Sequence, residues 1–134
     1  MIYTIENEFL RVSAEDDGAQ LSSVELKENG KEFLWPGDPS VGRAPVLFPI
    51  IGQLLDGKYR YSGREYEMPK HGFARHSVFA IKEQSEDSMT FSLASSDETR
   101  KCYPFEFELL IKYSVSGHTL RCTSTVINKT DGEM

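Results

Sequence analysis

Between residues 105 and 115 apolar side chains stand at every second position: Phe105, Phe107, Leu109, Ile111, Tyr113 and Val115. Glu106, Glu108, Lys112 and Ser114 take intervening places. Successive side chains of an extended chain point to opposite faces, so this stretch buries one face and wets the other as a β-strand. Ser116-Gly117 supplies a turn, after which Leu120, Cys122 and Val126 resume the alternation against Arg121, Thr123 and Thr125. The two segments therefore predict a hairpin. The same punctuation recurs along the chain. Asn29-Gly30 separates 21–26 from 32–34, and Ser62-Gly63 separates 58–61 from 64–67. Glu86-Asp87-Ser88 turns 78–81 into 89–93, and Glu6-Asn7-Glu8 links 3–5 to 9–12. Strands at short, regular spacing with almost no helical segment predict an all-β fold, an antiparallel β-sandwich or a curved large sheet.

At 134 residues the chain has the length of a single domain, 1–134. A hydrophobic share of 39%, including 8 Phe and 6 Tyr, suffices for a core and argues against disorder. The formal net charge of -6 argues against a general nucleic-acid binder, which needs a basic excess to neutralise phosphates. Without a run of about 18 apolar residues, no membrane span is expected. The opening Met1-Ile2-Tyr3-Thr4-Ile5-Glu6 has neither the basic nor the apolar region of a signal peptide, which points to a cytoplasmic location. Cys102 and Cys122 have neither CxxC spacing nor a neighbouring His, so two separate thiols are expected. GxSxG, P-loop, GxGxxG and HExxH motifs do not occur, which leaves hydrolase, nucleotide and zinc-protease readings without support.

Two segments break the alternation. From Trp35 to Gln53 the sequence carries Pro36, Gly37, Pro39, Gly42, Pro45, Pro49 and Gly52 around Val46-Leu47-Phe48, which reads as a long irregular loop. The second, Met68 to His76, gathers Lys70, His71, Arg75 and His76 beside Gly72. His71 is the leading catalytic candidate, since imidazole moves protons near neutral pH and a following Gly lets backbone approach a ligand. The plainer reading is a loop His held by backbone hydrogen bonds. Arg43 and Arg75 present paired donors suited to hydroxyls, a carboxylate or a phosphate, with a surface ion pair as the alternative. Trp35 is read as packing before sugar stacking, His76 as a structural residue at the start of a strand, and His118 as a hairpin tip. Beyond 119–127 only the turn Asn128-Lys129-Thr130-Asp131-Gly132 and two further residues follow. That leaves a fairly apolar edge with no following strand, open to truncation of the domain or to pairing with another chain.

At the two irregular segments the sequence resembles the aldose 1-epimerase (galactose mutarotase-like) family, in its LacX-like and hexose-6-phosphate epimerase branch. Ala44-Pro45-Val46-Leu47-Phe48-Pro49-Ile50-Ile51-Gly52 and Pro69-Lys70-His71-Gly72-Phe73-Ala74-Arg75 carry the likeness. Gly18-Ala19-Gln20-Leu21-Ser22-Ser23-Val24 and Val126-Ile127-Asn128-Lys129 extend it over essentially the whole chain. The resemblance implies a large antiparallel β-sandwich, here its N-terminal part, that binds a pyranose and interconverts its α and β anomers without metal or organic cofactor. It makes His71 the family's sugar-contacting histidine and both a catalytic and a substrate-binding candidate. Arg43 and Arg75 match substrate-binding positions of the phosphosugar branch, and Lys70 occupies a neighbouring polar position. Gln53 stands where an Arg is common in the family, which alters one sugar contact. The family's second His and its Glu fall beyond Met134. The expected partner is a sugar or sugar phosphate, with a homo-oligomer through the open sheet edge. A non-catalytic carbohydrate-binding module and an inactive fragment are the alternatives.

Overall fold

A computed structural model describes residues 1–38 and 42–134. Residues 39–41, including Pro39 of the first irregular segment, lie outside the described residues. One antiparallel sheet holds β1 (Ile2–Glu6), β2 (Leu10–Glu15), β3 (Leu21–Leu26) and β4 (Lys31–Glu32) in sequence order. A hairpin follows, β5 (Lys58–Tyr61) paired with β6 (Arg64–Glu67). The second four-stranded sheet comprises β7 (Ala80–Gln84), β8 (Ser88–Ala94), β9 (Phe107–Ser116) and β10 (Thr119–Asn128), ordered β10-β9-β8-β7. A six-residue helix, α1 (Asp97–Cys102), links β8 to β9.

The two sheets close on one core. On β9 the alternation buries Phe107, Leu109, Ile111, Tyr113 and Val115, and on β2 it buries Leu10, Val12 and Ala14. Ile5, Met89 and Phe91 are fully buried between them, and the ring of Tyr3 meets Phe91 edge-on at 5.5 Å. Each such side chain contributes about 1.5–3 kcal/mol when removed from water. The Tyr113 hydroxyl crosses this core to donate to the Ala19 carbonyl at 2.8 Å, fixing the β2–β3 connection over the second sheet. Burial pushes the Tyr113 hydroxyl pKa up, which keeps it a donor. The expected antiparallel sandwich is thus the observed architecture, and the turns at Asn29-Gly30, Ser62-Gly63, 86–88 and Ser116-Gly117 all join paired strands.

Four local expectations are corrected. The helix α1 was not expected; Ser96 caps it by accepting from the Thr99 amide, while Thr99 accepts from the Ser96 amide. The strand after Asn29-Gly30 is only Lys31–Glu32, because the Glu32 carboxylate takes up the Val24 and Leu34 amides locally. His76 ends a 3-10 turn, Ala74–His76, rather than opening a strand, and its side chain is exposed. Trp35 is 61% exposed rather than a core plug. Both cysteines are free thiols, as expected, and His118 sits at the β9–β10 tip, where its ring stacks on Phe9 at 3.9 Å. Among the described residues no helix is long and apolar enough to cross a membrane.

Candidate functional site

The two irregular segments are fastened side by side. The Phe48 carbonyl accepts from the Phe73 amide at 2.9 Å and from the Ala74 amide at 3.3 Å. Phe48 and Gly72 form a parallel bridge, which Gly72 permits with φ +70 and no side chain. Underneath, the Phe48 ring packs on Phe73, Tyr103 and Phe107, so both segments are rooted in the aromatic end of the core. Four residues on from Phe48, Gly52 and His71 hold each other twice. The His71 amide donates to the Gly52 carbonyl at 2.8 Å, and the Gly52 amide donates to His71 Nδ1 at 2.9 Å. His71 itself has φ +66, a left-handed conformation uncommon for a residue with a β-carbon.

Lys70, His71 and Arg75 stand in this one segment. Arg75 is half-buried; its guanidinium Nη2 donates to the Lys70 carbonyl at 3.2 Å, while Lys70 itself is exposed. Behind Arg75 the backbone is pressed against Gly18, where an added β-carbon would meet the Arg75 carbonyl oxygen at 2.9 Å. The Gly18 amide donates to the Ser77 carbonyl at 2.8 Å, so the β2–β3 connection clamps the segment from behind. Arg43 is anchored to the same connection. Its amide donates to Gln20 Oε1 at 3.1 Å and its Nη1 to the Ser22 carbonyl at 2.5 Å.

Among the described residues, the Nε atoms of Arg43 and Arg75 are buried without a hydrogen-bond partner. A buried N–H without a partner costs about 1–3 kcal/mol. Gln53, next to Gly52, is exposed. Of the five residues singled out in the sequence, three share the Lys70-to-Arg75 segment, Gln53 adjoins the Gly52 that holds His71, and Arg43 is fixed separately against β3.

Sequence reasoning missed Gly52 as a partner of His71, and Gln20 and Ser22 as supports of Arg43. The Gly-Ala-Gln-Leu-Ser run from Gly18 was visible as a motif, yet only the fold shows what it supports. Beside the two segments, Pro49, Ile50, Leu54, Tyr59, Met68 and Tyr103 line a cavity of about 250 Å³. The Tyr59 hydroxyl donates to the Cys102 carbonyl at 2.6 Å, and burial pushes its pKa up to about 12. A further cavity, of about 420 Å³, is lined by Glu6, Asn7, Glu8, Lys27, Glu86 and Asp87. Its four carboxylates repel anions, whereas the second of the joined segments carries Lys70 and Arg75.

The family model described as aldose 1-epimerase matches residues 1–134. The chain belongs to the aldose 1-epimerase family. It is 36% identical over 137 residues to the plasmid protein LacX of Lactococcus lactis subsp. lactis, covering 96% of this chain and 45% of LacX. A galactose mutarotase related enzyme from Lactobacillus acidophilus superposes with TM-score 0.94 at 41% identity, covering 98% of this chain and 44% of that one. A galactose mutarotase-like protein from Lactobacillus casei ATCC 334 gives TM-score 0.94 at 34% identity, covering 100% of this chain and 46% of that one. The chain thus spans less than half the length of these relatives.

Proposed function

We propose that this aldose 1-epimerase family chain binds a hexose or hexose 6-phosphate at the joined segments and serves the interconversion of its α and β anomers. The observation that carries the reading is the double hydrogen bond between Gly52 and His71. It unites motifs 19 residues apart into one platform bearing an imidazole, with Gln53, Lys70 and Arg75 alongside. Anomer exchange needs a base to take the proton from the C1 hydroxyl and an acid to protonate the ring oxygen. The ring C–O bond then breaks, the aldehyde rotates, and reclosure on the other face returns both protons. His71 contacts the sugar in this reading, and the two half-buried arginines with Lys70 favour a phosphorylated one, because a dianion strengthens each donated hydrogen bond.

A second reading has two observations in its favour. Among the described residues no carboxylate is hydrogen-bonded to His71, and the chain spans under half the length of its relatives. On that reading the 134-residue chain binds sugar without accelerating exchange. Magnetisation-exchange NMR between the anomers of glucose, galactose and glucose 6-phosphate separates the two. Protein-dependent exchange supports the epimerase reading; sugar-induced shifts without exchange support the binding module; neither effect with any of the three sugars sinks both.

A further inference from the structure

We propose that the cavity beside the joined segments is a separate binding site for one uncharged aromatic ring, and that a ring seated there braces the two segments. Pro49 and Ile50 of the first segment, Met68 of the second, and Leu54, Tyr59 and Tyr103 line a space of about 250 Å³. An apolar cavity of about 150 Å³ is already enough to take up benzene. The space here therefore holds a six-membered ring with a short substituent.

None of the six lining side chains is ionised at neutral pH. Burial raises the Tyr103 hydroxyl pKa and takes that of Tyr59 to about 12, so both phenols stay neutral. The Tyr59 proton is in any case committed to the Cys102 carbonyl at 2.6 Å. Three other cavities each include a carboxylate, among them those of Glu6, Glu28 and Glu98. A charged guest would leave water here for walls with no opposite charge, so the space selects an uncharged one. The walls also favour an aromatic guest over an aliphatic one of equal size. Tyr103 lies edge-on to Phe48 at 5.8 Å and to Phe105 at 4.8 Å, and Tyr59 stacks on Tyr66 at 5.5 Å. Both wall rings are thus held by further rings, and a fixed ring offers edge or face to a guest that has a ring of its own. Met68, 3% exposed, adds a polarizable thioether. Position gives occupancy a consequence. Ile50 comes two residues before Gly52 and Met68 three before His71, the pair whose reciprocal hydrogen bonds join the segments. A guest that touches Ile50 and Met68 together binds only while the segments are joined, so its binding stabilises that arrangement. The sugar-binding reading plays no part in this inference.

The test titrates the 134-residue chain, carrying 13C-labelled methyl groups, with toluene, methylcyclohexane and benzoate. Toluene is expected to shift the Met68, Ile50 and Leu54 methyl resonances saturably. Methylcyclohexane is expected to bind about 3-fold more weakly, and benzoate about 10-fold or more. No saturable shift at Met68 would overturn the site, and shifts confined to Leu120 and Val126 would do the same by placing toluene on β10. Equal affinities for toluene and methylcyclohexane overturn the aromatic preference; benzoate bound as tightly as toluene overturns the exclusion of charge. Saturating toluene should also slow hydrogen exchange at the Gly52 amide, and unchanged exchange overturns the bracing. Leu54→Trp puts a ring of the protein's own into the space and is expected to lower toluene affinity about 10-fold. A folded Leu54→Trp that binds toluene as the parent does sinks the assignment. Should that variant fail to fold, the three-ligand series on the unmodified chain decides alone.

Discussion

A β-carbon at position 72 would lie 2.0 Å from the Phe48 carbonyl oxygen. That oxygen cannot retreat without breaking its bonds to the Phe73 and Ala74 amides. Gly72→Ala therefore meets two penalties: the left-handed φ of +70, at about 1–2 kcal/mol, and separation of the two segments. Gly63 offers an internal control, because its φ is +75 but nothing lies within 4 Å of an added β-carbon. Gly63→Ala is expected to cost only the conformational part, about 1–2 kcal/mol, and Gly72→Ala about 2–4 kcal/mol. Urea denaturation reads both as a lowered midpoint at constant slope. Equal midpoints for the two variants would mean that the Phe48–Gly72 approach is not what holds the segments together. His71 lies one residue away, so Gly72→Ala should also release the Gly52 amide to faster hydrogen exchange while Gly63→Ala leaves it protected.

On the outer face of the second sheet Glu108 of β9 gathers partners from its neighbours. It accepts from Lys82 of β7 at 2.6 Å and from Ser92 of β8 at 2.9 Å, and pairs with Lys129, beyond β10, at 2.9 Å. The hydrogen bond from Lys82, then those from Lys129 and Ser92, hold its carboxyl down at about 2 against an ordinary 4.5. A depressed folded-state pKa stabilises the fold above the unfolded value and loses that contribution as pH falls through the folded one. Wild-type stability should therefore decline between about 4.5 and about 2 through this group, and Glu108→Gln should be less stable than wild type at pH 7 but lose less on acidification. Parallel pH–stability curves for the two proteins would remove Glu108 from the account. Inside the same strand, Tyr113→Phe leaves the buried Ala19 carbonyl without its donor and should cost about 1–2 kcal/mol in urea denaturation. Strands like β9 were legible because one face is dry and the other wet, so period two is written directly into the residue types. The helix α1 was not, since six residues give less than two turns of pattern; Ser96-Asp97-Glu98-Thr99, a capping residue followed by acids, was its readable mark. The site was legible as residue types but not as an arrangement. Nothing in the sequence aligns Gly52 with His71, because that pairing depends on left-handed backbone at residue 71 and on Gly72 meeting Phe48.

Across the whole molecule the two sheets differ in how they end. β10 is an edge strand, and its residues from Arg121 to Asn128 are exposed on both faces. In register, Leu120, Cys122, Ser124 and Val126 stand opposite Val115, Tyr113, Ile111 and Leu109 of β9, all four of which are buried. The face that forms the core on β9 thus continues onto β10 without cover. Val126 remains 45% exposed and Ile127 36%, and among the described residues no strand pairs with the outer edge of this ten-residue strand. An edge of this length with one cation, Arg121, along it has little charge to repel a second copy. Antiparallel pairing of two β10 edges would join the second sheets into one continuous eight-stranded sheet and bring the uncovered faces together. The 134-residue chain is therefore expected to self-associate as its concentration rises, seen as an increasing sedimentation coefficient. Val126→Lys places a charge on that uncovered face and should hold the chain as a monomer over the same range, with the midpoint of urea unfolding at low concentration little changed because the site is exposed. If the parent and Val126→Lys sediment alike at every concentration, β10 is not the surface through which copies of this chain meet.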